Sequence, residues 1–429
     1  GTMMVPTFAS MFIIPLGIYF FKIGIPLSGL LGGLIGTFSS GYYVRSSIGR
    51  IDIDMLNLFF PIFISLMILM AAKSKTEREV LLFSIGAGLS MFLFNWWYNR
   101  EGFTFLFFVV LVFSLFLHKI RLRTILLSTF LFLLCAHPKS FLNSIDSVES
   151  FINTYFFIVE TTSSYSSLET FSPAKFPNVL KTITEAENIN LDEVLVRIIS
   201  TSLIAWIGFI SFLILAIFRW KVFLPLAPLI ILGIFSFISS NRFIMYLAPL
   251  IGIGLGWIIT FCIECFISIF ERFTKKEQKH LDPKANKLID PEVNKLQLNN
   301  KNKIEIFELL KQIFFYLGLM TFFWTISSKT AISFVPFPSI NTNVYKTFFE
   351  IKKIVPKDSA LLSWWDYGYA ISEATNLATF HDGGSQFNPK TYFIARSFVS
   401  HDQKELFDIT QYLATEGNKG IRKNNTSPK

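Results

Sequence analysis

Apolar runs close to the length needed to cross a bilayer recur along this chain from Phe8 to Ile332, and no other feature restricts its fold as strongly. At roughly 20 residues per span, about ten candidates fall at 4–22, 25–43, 55–72, 78–97, 103–119, 122–137, 200–219, 222–239, 243–270 and 308–334. Inside lipid every backbone N–H and C=O must be satisfied within the protein, which leaves helices and closed barrels. The runs are continuously apolar rather than alternating, so they predict helices and disfavour a barrel. With 52% hydrophobic and 16% charged residues, the 429-residue sequence excludes one soluble core. The expected fold is a polytopic α-helical membrane protein.

The formal charge of +9 is placed by topology rather than by a nucleic-acid surface. Lys22, then Lys73, Lys75 and Arg78, then Lys119, Arg121 and Arg123, then Arg219 and Lys221, and finally the lysine-rich stretch 271–303 occupy alternate loops. By the positive-inside rule those loops are cytoplasmic. The intervening loops, with Asp52, Asp54, Glu185 and the long segment 138–199, then face outside, as do both ends of the sequence. A start on the outer side, at Gly1 and without a signal peptide, reads as a truncated N-terminus. Cys135, Cys262 and Cys265 lie in apolar runs and are expected to form no disulfides. Gly29, Gly32, Gly33 and Gly36 are spaced for close helix packing.

These patterns divide the chain at about residue 335. Residues 1–334 form a transmembrane domain with outer loops at about 44–54 and 138–199 and a cytoplasmic loop at 271–307. Residues 335–429 begin an extracytoplasmic mixed α/β domain. There Ala360-Leu361-Leu362 reads as a short buried strand, and Ser400 with Gln403 as a capping box for a helix carrying Leu406, Phe407, Ile409 and Leu413. One strand and two helices do not close a core, so this domain reads as cut short.

Five places carry chemistry. Trp364-Trp365-Asp366-Tyr367-Gly368 sets two indole N–H donors and a carboxylate on a turn between a strand and a helix. That group can grip a small hydroxyl, or simply pack an aromatic turn. Asp52-Ile53-Asp54 puts two carboxylates at a membrane surface, where they need solvent, a partner or a cation, and so forms a candidate metal site. Thr182-Ile183-Thr184-Glu185 could be a helix cap. Arg197 follows Glu185 by twelve positions on a helix opened by Asn190, and Arg242 sits in a short outer loop. Either arginine could be an interfacial anchor.

Together, and in this order, the motifs resemble those of oligosaccharyltransferase catalytic subunits, with the single-subunit bacterial enzymes nearest. The resemblance implies a GT-C glycosyltransferase that moves an oligosaccharide from a polyprenyl-diphosphate carrier to the asparagine amide of N-x-S/T sequons. It implies that Trp364, Trp365 and Asp366 bind the sequon hydroxyl. Asp52, with Asp54, matches the family's acidic motif, whose first aspartate holds Mn2+ or Mg2+. Glu185, in a T-I-x-E string with Thr182 and Ile183, would contact the metal and the acceptor amide. Arg197 would favour an acidic residue two before the asparagine, and Arg242 would hold the lipid diphosphate. The implied location is a bacterial inner membrane, with the acidic loops and the C-terminal domain outside. Partners are the lipid-linked glycan, acceptor polypeptides and membrane lipids, with no nucleic acid.

The family's first span and first outer loop, with an aspartate of the metal site, have no counterpart here. The same holds for two spans before 138–199, an even number whose loss keeps the topology and also fits divergence, and for most of the outer domain after Gly420, so the sequence reads as a fragment or as a divergent member. Two other readings are another polyprenyl-dependent GT-C glycosyltransferase, which would need no Trp-Trp-Asp string, and a transporter, which should show internal repeats or intramembrane charges.

Overall fold

The computed structural model describes residues 4–48, 50, 52–98, 102–155, 161–162, 175–176, 189–238, 241–278, 314–329, 331–386 and 390–417. They divide into two compact units, Gly1–Glu149 with Asn188–Pro336 and Ser150–Glu187 with Phe337–Lys429.

The first unit is helical. Its elements are α1 (Met4–Ser10), α2 (Ile13–Lys22), α3 (Pro26–Phe38), α4 (Ser40–Ser46), α5 (Phe59–Lys73), α6 (Glu77–Trp97), α7 (Gly102–Leu117) and α8 (Leu122–Ala136). Then come α9 (Pro138–Tyr155), which runs past Glu149, α10 (Leu191–Val196), α11 (Ser202–Phe218), α12 (Trp220–Phe223), α13 (Ala227–Phe235), α14 (Ile244–Gln278) and α15 (314–329). Local chemistry sets some starts. Thr76 accepts the Glu79 N–H at 3.3 Å, with Glu77 and Glu79 in the first turn of α6, where the helix dipole favours negative charge.

Among the described residues four helices are long and apolar enough to cross a membrane by themselves: Met4–Lys22, Ile53–Lys73, Glu77–Trp97 and Asn241–Ser268. Two bent pairs bring the number to six if each is one span, and Pro26–Phe38 and Gly102–Leu117 are shorter apolar helices. The protein is a multi-pass membrane protein, but the ten spans expected from hydropathy are not ten long helices. Segment 25–43 breaks at Ser39, which is extended (ψ 138°), and both the N–H and the hydroxyl of Ser40 then donate to the Arg197 carbonyl, at 2.8 and 2.9 Å. Segments 200–219 and 222–239 meet at a 109° bend, where α11 ends at Arg219 with non-helical backbone (φ −115°, ψ 30°); Pro225 and Pro228 lie farther on, inside the second segment. Likewise α8 stops at His137, which has φ 75°, and Pro138 opens α9 at 89° to it. The segment expected as a loop from 138 thus begins as a helix.

Helix α14 runs at the centre, with α3 on one side and α11 on another. Backbones meet there because side chains are missing. A Cβ at Gly252 would sit 2.8 Å from the Cα of Gly32, and one at Gly256 2.5 Å from the Cα of Ser28. The close-packing glycines expected near residue 30 therefore have their counterparts more than two hundred residues later.

In the second unit, β1 (Thr161–Thr162) pairs antiparallel with β2 (Lys175–Phe176). Farther on come α16 (Thr342–Ile354), β3 (Ala360–Leu361), α17 (Trp365–Thr375), β4 (Ala378–Thr379), α18 (Lys390–Val399) and α19 (Gln403–Thr415). Strands β3 and β4 are parallel and joined through α17, a short βαβ unit. The expected strand at 360 is present, with Ala360 exposed rather than buried. Two details differ from the sequence reading. The cap of α19 is Asp402, whose carboxylate accepts the Lys404 N–H at 2.8 Å, while the Ser400 hydroxyl binds Glu405 Oε2 at 2.6 Å. Among the described residues after 336, four helices and two strands, not one strand and two helices, are present, with Phe348 and Ile371 in one cluster and Ile394 and Leu413 in another.

Candidate functional site

The chain enters α5 through a short 3-10 turn, Ile53–Leu56, whose first residues alternate between solvent and core. Asp52 caps the turn with extended backbone, and its side chain is 28% exposed, 3.7 Å from Arg50 Nη2. Asp54 is fully buried. Its Oδ2 accepts from Arg45 Nη1 at 2.9 Å, and its Oδ1 accepts from Arg242 Nη2 at 2.9 Å and Asn57 Nδ2 at 2.7 Å. A buried carboxylate is tolerated only with such partners, and two guanidiniums more than neutralise it. The indole of Trp97 donates to the Ile53 carbonyl at 2.7 Å, and the Arg242 guanidinium lies 5.9 Å from the ring centre of Tyr98.

The structure thus brings two of the sequence candidates, Asp54 and Arg242, into direct contact across 188 positions. It also separates the two aspartates of the D-x-D expected as a metal-site candidate. Asp52 is open to a cation, whereas both oxygens of Asp54 are already committed to arginine and asparagine. Asp52 therefore fits a divalent ion as one oxygen ligand, and Asp54 does not. Among the described residues no three of His, Cys, Asp and Glu cluster as a metal site. Thr182, Ile183 and Glu185 lie outside the described residues.

Arg197 ends α10, which Asn190 opens as expected. Its guanidinium pairs with Glu193 one turn earlier, and its carbonyl holds Ser40. Ile198, beside it, is buried in the cluster with Val194 and Leu195.

In the second unit Trp364 is the N-cap of α17, with Trp365 and Asp366 in its first turn. Trp364 packs against the cluster of Ile394 and Leu413 and meets the His381 ring edge-on at 5.8 Å. Partial desolvation holds the Asp366 carboxyl above the usual carboxylate range, and a hydrogen bond from the Trp364 side chain offsets part of that. The indole nitrogen of Trp365 and the hydroxyl of Ser363 are buried with no hydrogen-bond partner among the described residues. Unsatisfied buried donors are costly, so both atoms are free to take an acceptor. Gly368 completes the string for a steric reason: a Cβ there would fall 2.6 Å from the Asp382 Cβ. The glycine lets α17 press directly on residues 381–382.

Sequence reasoning missed Arg45, Asn57, Trp97 and Tyr98 at the first place and Ser363 and His381 at the second. Trp97 and Tyr98 were detectable as an aromatic pair at the end of a span. Arg45, Asn57, Ser363 and His381 carry no local signal, because only folding sets them beside the motifs.

A family model described as Oligosaccharyl transferase STT3, N-terminal, matches residues 2–276, and one described as STT3/PglB/AglB core domain matches 357–427. The undecaprenyl-diphosphooligosaccharide–protein glycotransferase of Campylobacter jejuni subsp. jejuni serotype O:2 is 21% identical over 419 residues, covering 88% of this chain and 52% of the relative. The dolichyl-phosphooligosaccharide-protein glycotransferase of Methanocaldococcus jannaschii is 34% identical over 93 residues, 21% of this chain and 10% of its own length. The archaeal oligosaccharyltransferase AglB from Archaeoglobus fulgidus, solved in complex with an inhibitory peptide and a dolichol-phosphate, superposes with a TM-score of 0.52 at 11% identity. That superposition covers 95% of this chain and 57% of the archaeal one, and it supports a shared GT-C fold. The chain spans about half the length of its Campylobacter relative. With the first family model matching well over half of its residues, the chain belongs to the STT3 family of oligosaccharyltransferase catalytic subunits.

Proposed function

We propose that this chain carries the donor-binding membrane part, and the beginning of the acceptor-binding outer part, of an enzyme that transfers an oligosaccharide from a polyprenyl diphosphate to the asparagine of N-x-S/T sequons. The observation that most supports this reading is the Asp54–Arg242 pair, which ties the acidic turn to the arginine assigned to the lipid diphosphate. In this reading the acidic turn and the outer unit face the extracytoplasmic side of a bacterial inner membrane.

The residues have separate tasks. Asp54 orients Arg242 through one oxygen, and the guanidinium, still 26% exposed, neutralises the diphosphate. Asp52 and Glu185 would hold Mn2+ or Mg2+, which supplies Lewis-acid stabilisation of the departing diphosphate. An amide nitrogen is a poor nucleophile because its lone pair is delocalised. Carboxylates that accept its N–H bonds weaken that conjugation, the roles given to Asp52 and Glu185. The new bond joins that nitrogen to the sugar carbon, the carbon–oxygen bond to the diphosphate breaks with its electron pair leaving on the diphosphate, and the nitrogen passes one proton to a carboxylate that accepts from it. The sequon hydroxyl oxygen accepts from the Trp365 N–H and its own O–H donates a hydrogen bond to the Asp366 carboxylate, with Trp364 steadying the carboxylate. Arg197 gives a preference for an acidic residue two before the asparagine, in competition with Glu193. Neither a transporter nor a glycosyltransferase with another acceptor accounts for the Trp364–Gly368 string.

The test is a cell assay with a sequon reporter and a lipid-linked glycan. Asp52→Ala and Glu185→Ala, each in the full-length protein, are expected to abolish transfer while the protein still reaches the membrane. Substantial transfer by either variant removes that residue from the catalytic centre.

A further inference from the structure

The other end of α5 carries a second polar site, separate from the acidic turn by the length of that helix, about 22 Å for its fifteen residues. Helix α2 finishes there, and its last carbonyls carry the partial negative charge of a helix C-terminus. Lys73 Nζ donates to the Lys22 carbonyl at 3.1 Å, and Arg219 Nη1 donates to the next carbonyl, of Ile23, at 3.0 Å. Lys221 Nζ stands 5.8 Å from the ring centre of Trp220. These three cations border one open cavity of about 420 Å³.

Two features of this cavity point to a ligand. An ammonium offers three N–H groups and a guanidinium five, so one carbonyl apiece uses only a small part of the donors present. No Asp or Glu is among the described residues of its lining, and three like charges around one cavity repel unless an anion joins them. The rest of the lining is apolar, and Phe218 and Trp220 are 80% and 50% exposed at its mouth. A cationic floor beside an exposed apolar wall matches an amphiphile rather than a free inorganic anion.

We propose that this cavity binds the phosphate headgroup of one anionic phospholipid, with Lys73, Arg219 and Lys221 on the phosphate and Phe218 and Trp220 along the upper acyl chain. The site is independent of glycan transfer, since none of its residues belongs to the acidic turn or to the Trp364–Gly368 string. Its role is to fix the junction of α2, α5 and α11 to one leaflet.

Native mass spectrometry of the purified full chain, in micelles doped with equal amounts of phosphatidylglycerol and phosphatidylcholine, tests the proposal. The expected result is one retained phosphatidylglycerol per chain in preference to phosphatidylcholine. Lys221→Gln, which removes no backbone anchor, should weaken that retention roughly fivefold, the effect of one cation near an anionic surface. The double variant Lys73→Gln with Arg219→Gln should weaken it further. Should the double variant fail to fold, Lys221→Gln alone decides. Equal retention of the two lipids, or unchanged retention in Lys221→Gln, overturns the proposal. So does displacement of the lipid by millimolar inorganic phosphate, which would mark a site for the free anion.

Discussion

The acidic turn before α5 and the Trp364–Gly368 turn before α17 solve opposite problems. At the first, every oxygen of the buried Asp54 is used, by Arg45, Arg242 and Asn57. At the second, Ser363 and Trp365 keep buried polar atoms with no partner among the described residues. A charge in an apolar bundle must be locked before any ligand arrives, because an unpaired one costs several kcal/mol. A neutral indole N–H at a half-buried surface can wait for its acceptor at a smaller cost. The first turn therefore locks its buried charge and presents Asp52 and Arg242, although Asn57 Oδ1 is buried there without a partner among the described residues, and the second leaves its neutral donors open.

The sharpest way to break that contrast is Asp54→Ala, which leaves two guanidiniums facing a buried gap. The expected loss is about 3–5 kcal/mol of bundle stability, read as a lowered unfolding temperature in detergent, while Asp52→Ala should change stability by less than about 0.5 kcal/mol. Equal losses for the two variants would mean that Asp54 is not the locked member.

The second unit has its own pH signature through His381, which is fully buried against Thr391. Desolvation, with the charge of Lys390 adding to it and Asp382 opposing it, lowers the His381 pKa to about 4 from an ordinary 6.5. Folded, the ring binds fewer protons than unfolded between those values. Its contribution is thus fully present above about pH 6.5 and is lost as pH falls toward 4, by up to about 3 kcal/mol. Amide exchange of α17 and β4 between pH 7 and 4.5 should show the loss, and His381→Gln should flatten the slope. A slope that persists in His381→Gln assigns the titration to another group.

The smallest effect is the most diagnostic of the open turn. Trp365→Phe removes a donor that has no partner, so folding stability should stay the same or rise by about 1 kcal/mol. Transfer to N-x-T peptides should fall while the lipid-linked donor is still bound. A stability loss above about 2 kcal/mol would show that the indole nitrogen is paired in the folded protein after all.

Much of this was legible in the linear chain. Continuous apolar runs forced helices, because lipid offers no partner for a backbone N–H, and the glycines near residue 30 forecast close helix contact. The string Trp364–Gly368 and the spacing of Asp52 and Asp54 were local enough to mark both turns. The sequence could not separate the two aspartates, since they are chemically identical and two positions apart; the 3-10 turn leaves Asp52 partly exposed at its start and turns Asp54 into the core. Nor could it supply Arg45 and Arg242, which reach Asp54 from nine and 188 positions away.

Hydropathy registers apolar length and not direction, so it placed the breaks near 137 and 220 without the 89° and 109° angles at which the helices meet there. By itself the sequence determined that the chain is a helical membrane protein with two chemically marked turns, because solvent exclusion and residue type are local properties. Only the tertiary structure decided which carboxylate is locked, which indole is left waiting and where three cations share a cavity, because charge pairing and desolvation depend on neighbours that the fold brings together.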